Sequence, residues 1–199
     1  MTRRLVLLRH GRTAWNVAGR FQGQADPPLD HVGVAQARAA AARLARLDPW
    51  RILTSDLARA GTTAEIVAAA CAATGRFPDL VPDPALREVA LGGWEGLDDA
   101  EARRRFPDEH AAWRAGPSPV LRRGGGETEA EAGIRVVAVV AAALRDASEG
   151  ATLVVVSHGL ALRGAMRVLG GAAPHLANGA WVVLPAARSP ARRATLVPG

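Results

Sequence analysis

The apolar residues of the chain fall into two alternating kinds of block. Leu5-Val6-Leu7-Leu8, Trp50-Arg51-Ile52-Leu53-Thr54 and Thr152-Leu153-Val154-Val155-Val156 are short runs rich in branched side chains. The last is β-branched almost throughout, as expected for a strand buried on both faces of a parallel sheet. Between these runs the spacing becomes helical. Behind Asp30, a plausible N-cap, Val34, Ala37, Ala41, Leu44 and Leu47 keep one apolar face until Asp48-Pro49 ends it. A second helix opens at Ser55-Asp56-Leu57, runs to about Ala73 and is closed by Gly75 and Pro78. The longest starts at a capping box, Thr128-Glu129-Ala130-Glu131, and runs to about Ala147. Another follows Ser157-His158-Gly159 as far as Leu169. Asp79 to Pro84 reads as a short strand and turn, and Trp181–Leu184 and Ala194–Val197 as final strands, antiparallel at the sheet edge. Strands alternating with helices predict an α/β fold: a three-layer α/β/α sandwich around a mostly parallel central sheet, in one domain spanning residues 1–199.

Two stretches break the pattern. Residues 14–28 carry Trp15, Asn16, Phe21, Gln22, Gly23 and Gln24 without periodicity and read as a loop. Residues 91–126 combine a glycine-rich loop, two short polar helices (Asp98–Phe106 and Asp108–Arg114) and a Pro-, Gly- and Arg-rich tail. They read as a lid insertion rather than core, and long irregular segments of this kind are often functional.

Composition narrows the class. Nearly half of the 199 residues are hydrophobic, which fits a globular chain with a sizeable core. The net charge is +6, and all 25 basic residues are Arg, spread along the chain. A mild excess of this kind suits anionic ligands without marking a nucleic-acid stripe. The single Cys71, within an apolar helical stretch, excludes an intrachain disulfide and a multi-cysteine metal site. Leu5–Leu8 is too short for a signal-peptide core, and the apolar run ending at Arg145 is too short for a membrane span, so a cytoplasmic protein is expected.

The chemistry gathers where strands end. The first strand breaks off into Arg9-His10-Gly11-Arg12-Thr13, the second is followed by Arg59 in a helix's first turn, and the strongest runs into Ser157-His158-Gly159. If these strands are parallel neighbours, His10, Arg59 and His158 converge at one carboxyl edge, where ligands bind in open α/β sheets. Helix N-termini there add free backbone donors suited to an anion. Arg9 offers a planar fork for phosphate, and His10 an imidazole able to act as a nucleophile.

These segments resemble the histidine phosphatase superfamily, in its phosphoglycerate mutase-like branch. The resemblance rests on Arg9-His10-Gly11-Arg12-Thr13 with Asn16, Asp30-His31-Val32-Gly33 with Gln36-Ala37, Ser55-Asp56-Leu57-Ala58-Arg59-Ala60 with Thr63-Ala64, Leu86-Arg87-Glu88 before Gly92-Gly93-Trp94-Glu95-Gly96, and Ser157-His158-Gly159. It covers most of the chain. It implies that His10 attacks phosphorus and carries a phosphohistidine, that Arg9, Arg59 and His158 bind the phosphoryl oxygens, and that Glu88 protonates the leaving oxygen. It further implies that Asn16, Gln22 and Gly23 line the pocket. The activity implied is a metal-independent phosphomonoesterase acting on a small phosphorylated metabolite, with no cofactor. Phe21-Gln22-Gly23-Gln24 and Gly124-Gly125-Gly126-Glu127 are similar to glucosyl-3-phosphoglycerate phosphatases, broad-specificity phosphatases and α-ribazole phosphatases, which points to a sugar or sugar-acid phosphate.

Mutase-type phosphoryl transfer and a catalytically silent interaction module are the alternative readings. Neither nucleic acid nor membrane is expected as a partner, and a homodimer is left open. His31, His110 and His175 lie outside every motif and read as structural or exposed; Trp94 and Trp113 read as core or lid packing. Arg12, Arg122 and Arg123 read as solvated surface, with the last two also placed to meet an acidic substrate from the lid.

Overall fold

The computed structural model describes residues 2–186. Among these, five strands make one sheet in the order β3-β2-β4-β1-β5. They are β1 (Arg3–Arg9), β2 (Pro49–Thr54), β3 (Asp79–Pro82), β4 (Thr152–Ser157) and β5 (Trp181–Ala186). The β-branched run of β4 lies between β1 and β2, parallel to both, and every one of its residues is buried. β2 also pairs in parallel with β3, and β5 pairs antiparallel with β1 at the far edge. The proposed last strand at Ala194–Val197 lies outside the described residues.

The pleat sends alternate side chains to opposite faces, and the sequence supplies two apolar sets. Leu5, Leu7, Leu153 and Val155 belong to one core, against α6 (Glu129–Asp146) and α7 (Gly159–Val168). Val6, Leu8, Val154 and Val156 belong to the other, against α2 (His31–Leu44) and α3 (Ala58–Ala72). The pairing Leu5↔Leu153 and Val6↔Val154 keeps the two sets on their own sides. The result is the expected three layers. Cys71 is buried in α3. Between α6 and α7, Gly133 and Gly164 meet backbone to backbone: a Cβ on Gly133 would stand 2.4 Å from the Gly164 carbonyl carbon.

Several local expectations need correction. The stretch read as a loop after β1 holds a one-turn helix, α1 (Ala14–Val17), because Thr13 and Asn16 form a reciprocal capping box. β2 begins at Pro49, which needs no ladder N–H at a strand's first residue. The larger correction concerns residues 91–126. Leu91, Trp94, Leu97 and Ala102 are buried and belong to the α6/α7 core. Trp94 packs against Phe21 and Trp113 at ring distances of 4.9 and 6.0 Å, and its indole N–H donates to Glu109 Oε2 at 3.0 Å. A large indole covers more apolar area than the surrounding glycines suggest, so the segment, with α4 (Asp99–Arg105) and α5 (Pro107–Arg114), closes the core on this side. His110, stacked on Trp94 and 3.0 Å from Asp99 Oδ1, is part of that packing. Among the described residues no helix is long and apolar enough to cross a membrane.

Candidate active site

The carboxyl ends of β1, β4 and β2 lie side by side, and the residues just beyond them meet. His10 follows β1 and is 2% exposed. Its Nδ1 lies 2.6 Å from the Gly11 carbonyl oxygen. A carbonyl only accepts, so Nδ1 carries the proton and Nε2 holds the lone pair. Burial foremost, then the charges of Arg59 and Arg9, push the His10 imidazole well below its ordinary pKa, against a smaller opposing pull from Gly11. The ring is therefore neutral at physiological pH.

Arg59 reaches His10 from the first turn of α3. Its Nε stands 3.3 Å from His10 Nε2, while Nη1 donates to Ala25 O at 2.7 Å and Nη2 to Gly23 O at 2.8 Å. The guanidinium is fully buried with its plane held on three sides. Burial lowers its pKa and Glu88, Asp26 and Glu95 raise it; a guanidinium stays charged regardless. Thr63, one turn along α3, accepts from Gly11 N at 3.2 Å and donates to Arg59 O at 2.8 Å, so it ties the His10 loop to the helix carrying Arg59.

His158 caps α7 from the end of β4. Its ring lies 5.0 Å from that of His10 at 60°, and both its nitrogens are buried without a hydrogen-bond partner. Burial, then Arg59, His10, Arg135 and Arg9, hold it well below its ordinary pKa. Arg9 Nε is likewise buried and unpartnered, although Nη1 donates to Leu176 O at 2.7 Å. An unsatisfied buried polar group costs about 1–3 kcal/mol, so His158, next to His10, and Arg9 Nε each call for a polar partner.

Glu88 sits at the N-terminus of α7. Its Oε1 accepts from Val89 N at 3.0 Å and Ala161 N at 2.9 Å, and its Oε2 from Leu160 N at 3.2 Å. The helix lacks a side-chain cap of its own, so Glu88 takes over its free donors. Its charge acts on both Arg9 and Arg59.

Asn16 and Gln22 are tied together through Thr13. The Thr13 hydroxyl lies 3.2 Å from Asn16 Oδ1 and 2.9 Å from Gln22 Oε1. Gly23 contributes its carbonyl to Arg59 and adopts a positive φ of 52°; a Cβ there would strike the Glu95 carboxylate. Gly11 serves a close approach, but to protein: a Cβ on it would stand 2.3 Å from the Gly33 carbonyl oxygen. Arg12 is half-buried and bonds Asp30 Oδ2 at 2.8 Å.

Some neighbours carry no sequence signal. Asn178 donates from Nδ2 to His10 O at 3.3 Å and Asn16 Oδ1 at 3.3 Å, and Gly179 N lies 3.1 Å from His10 O. His175, read as structural or exposed, has Nε2 3.3 Å from Arg9 Nη1. Arg123, read as solvated surface, is 7% exposed. Among the described residues no group of His, Cys, Asp and Glu is placed to hold a metal ion.

Residues 5–188 match the family model for the histidine phosphatase superfamily, branch 1. The chain belongs to that superfamily. By family it is a histidine phosphatase. It is 34% identical over 160 residues to a metal-independent phosphoserine phosphatase of Arabidopsis thaliana, a match covering 80% of this chain and 65% of that protein. It is 38% identical over 161 residues to a probable phosphoglycerate mutase of Proteus mirabilis, covering 79% and 70%. The chain thus spans about two thirds of the length of these relatives. Among solved structures, a mycobacterial glucosyl-3-phosphoglycerate phosphatase complexed with VO3 superposes with a TM-score of 0.78 at 34% identity, covering 92% of this chain and 90% of that one. The chain is therefore similar in sequence to proteins named both as a phosphatase and as a probable mutase, and in fold to a phosphatase.

Proposed function

We propose that the protein is a metal-independent phosphomonoesterase that works through a phosphohistidine on His10. The observation that carries this reading is the state of His10. Its Nδ1 proton is committed to Gly11 O, and its Nε2 lone pair is presented to a cluster of buried donors. In the first step the Nε2 pair forms a bond to phosphorus as the bond from phosphorus to the alcohol oxygen breaks. Glu88, entering as the acid, gives that oxygen its proton. In the second step a water oxygen attacks phosphorus, Glu88 takes the water's proton, and the pair of the breaking N–P bond returns to His10. Phosphate leaves. Arg59, Arg9 and His158 hold the three equatorial oxygens, and two guanidinium groups supply the positive charge that phosphoryl transfer needs. Asn16 and Gln22, their amide oxygens engaged with Thr13, have NH2 groups left to donate to the phosphoryl group.

The substrate is a small phosphomonoester, a sugar or sugar-acid phosphate being the leading class. The mycobacterial neighbour, named for a glucosyl acid phosphate, supports that choice. The relationship to the probable phosphoglycerate mutase favours a second reading, in which the phosphoryl group returns to a reoriented substrate.

One experiment separates them. Phosphate release is followed with EDTA present over p-nitrophenyl phosphate, 3-phosphoglycerate, glucosyl-3-phosphoglycerate and α-ribazole phosphate, for wild type and His10→Ala. EDTA-resistant release that the variant loses is expected, with an acid-labile, base-stable phosphoprotein trapped on quenching. Interconversion of phosphoglycerates without phosphate release would mean the mutase. Release that survives His10→Ala would remove His10 from the centre of the reaction.

A further inference from the structure

β5 runs antiparallel to β1, with Trp181 opposite Leu8, so the residues that enter β5 pass beside the end of β1, where His10 follows. The approach is close. Arg9 N donates to Ala180 O at 3.0 Å, Gly179 N lies 3.1 Å from His10 O, and Arg9 Nη1 donates to Leu176 O at 2.7 Å. Among these contacts stands the half-buried side chain of Asn178. Its Nδ2 is 3.3 Å from His10 O, 3.4 Å from Gly11 O and 3.3 Å from Asn16 Oδ1. The two carbonyls only accept, and Asn16 Oδ1 already takes the Thr13 N–H at 3.1 Å. An atom that faces three acceptors is a donor, so Asn178 presents its NH2 here.

None of the three acceptors needs this donor to be satisfied. His10 O has Gly179 N, Gly11 O has His10 Nδ1 at 2.6 Å, and Asn16 Oδ1 has Thr13 N. Removing the Asn178 amide orphans no buried group, so its weight in stability is small. What it supplies is orientation. The Thr13 N–H fixes the place of Asn16 Oδ1 and leaves the amide plane free to swing about it. The Thr13 hydroxyl adds little, because its one proton is drawn to Gln22 Oε1 at 2.9 Å rather than to Asn16 Oδ1 at 3.2 Å. Asn178 is thus the second donor on Asn16 Oδ1, and it comes from a loop that also grips the backbone of His10. Two donors on one oxygen, from different elements, set the amide plane and with it the direction of the Asn16 NH2.

We propose that Asn178 is a positioning residue: it locks the amide of Asn16 to the backbone of His10, so that the Asn16 NH2 is aimed at the phosphoryl group as that group moves to His10 Nε2. The inference rests on the phosphomonoesterase reading and adds to it a residue that touches neither substrate nor nucleophilic nitrogen. A donor aimed before the reaction begins acts in full where charge develops in the transition state; one that swings must first be ordered.

Two variants separate aiming from packing. Asn178→Leu keeps a branched side chain and donates nothing. Asn178→Ala opens room for a water, which can donate to the same oxygens. Lost aim makes the leucine variant the slower of the two; lost packing makes it the faster. On p-nitrophenyl phosphate, kcat/KM of Asn178→Leu is expected to fall by about 10–100-fold, and that of Asn178→Ala by less. The midpoint of denaturant unfolding should stay near the wild-type value in both. Orthovanadate, whose five-coordinate form copies the transition state, should bind Asn178→Leu more weakly in step with kcat/KM, while inorganic phosphate keeps its affinity within about threefold. The double variant Asn178→Leu/Asn16→Ala should be no slower than Asn16→Ala alone. Wild-type kinetics in Asn178→Leu overturn the proposal, as do an alanine variant slower than the leucine one and losses that multiply in the double variant. If Asn178→Leu does not fold, Asn178→Ala takes its place in the cycle with Asn16→Ala. Should the wild type hydrolyse no ester, the phosphomonoesterase reading falls, and orthovanadate affinities of the same four proteins decide the proposal by whether the two losses couple.

Discussion

Arg59 Nε donates to His10 Nε2 across 3.3 Å, so the helix that carries the arginine and the Gly11 carbonyl at Nδ1 agree on one imidazole tautomer. The contact depends on all three nitrogens of the guanidinium. Nη1 and Nη2 are anchored to the carbonyls of Ala25 and Gly23, and only then does Nε point at His10. An ammonium has no such fork. Arg59→Lys is therefore expected to lower kcat by about 10²–10³-fold, the usual cost of losing one preorganised donor to a transition-state oxygen. It also leaves buried carbonyls unpaired, for a stability loss of about 1–3 kcal/mol. Steady-state kinetics and denaturant unfolding of the variant check both figures, and activity within threefold of wild type would remove Arg59 from the reaction.

The two buried histidines tie stability to pH. His10 and His158 both have pKa values well below the ordinary one, mainly through burial. The unfolded chain takes up protons on these rings once the pH falls below about 6.5, and the folded chain does not. Their contribution is thus complete above that pH and is lost as the pH drops toward the folded-state values. The expected slope is up to about 1.4 kcal/mol per pH unit for each ring. Unfolding free energies at pH 7.5, 6.5 and 5.5 for wild type and His158→Asn measure it. The variant should show the shallower fall, and parallel curves would contradict the neutral assignment. By the same reasoning kcat/KM shows no acid limb near pH 6.5 that belongs to His10.

The leaving-group step isolates Glu88. A departing alkoxide needs a proton, whereas p-nitrophenolate leaves without help. Glu88→Gln should slow hydrolysis of an alkyl phosphate by about 10²–10⁴-fold, and that of p-nitrophenyl phosphate by at least about tenfold less. Equal losses on both substrates would assign Glu88 to holding the end of α7 rather than to proton transfer.

What the sequence made legible follows from period and position. Apolar runs of the right length declared β1, β2 and β4, and the polar residues directly after them had to share an edge once those strands were neighbours. That is why His10, Arg59 and His158 could be brought together on paper. Trp94, read as core or lid packing, is core; its glycine-rich surroundings have no period that would have extended that reading to Leu91 and Leu97. Asn178 and His175 escaped for another reason: they act from a loop more than 160 residues from their partners, at least partly through backbone carbonyls, which carry no residue-type signal. The contact of Gly11 with Gly33, which arrives from a different element, has no local signature either. The burial of Arg123 contradicts the average behaviour of arginine, and only tertiary packing could reveal it.

Arg135 fastens the backbone leading into Glu88. From α6 its Nη1 donates to Ala85 O at 2.7 Å and Arg87 O at 2.6 Å, its Nη2 to Glu88 O at 2.9 Å, and it pairs with both oxygens of Glu127 at 2.8 Å. Ser157 Oγ holds the same loop from β4 by donating to Leu86 O at 2.7 Å. The backbone that presents Glu88 is thereby fastened to two elements of the scaffold. Arg135→Met keeps an unbranched apolar stem and removes every one of these bonds. It should cost stability, because Glu127 and three carbonyls lose a charged donor. A purely structural role would stop there. A positioning role predicts in addition that kcat falls by up to about 10²-fold with KM nearly unchanged, since a shift of about 1 Å at a catalytic group has that effect. It also predicts non-additivity. If Arg135 works through Glu88, the double variant Arg135→Met/Glu88→Gln should be no slower than Glu88→Gln alone. Measured at a temperature where all three variants are folded, kcat losses that multiply would show that Arg135 serves the site by some route other than Glu88.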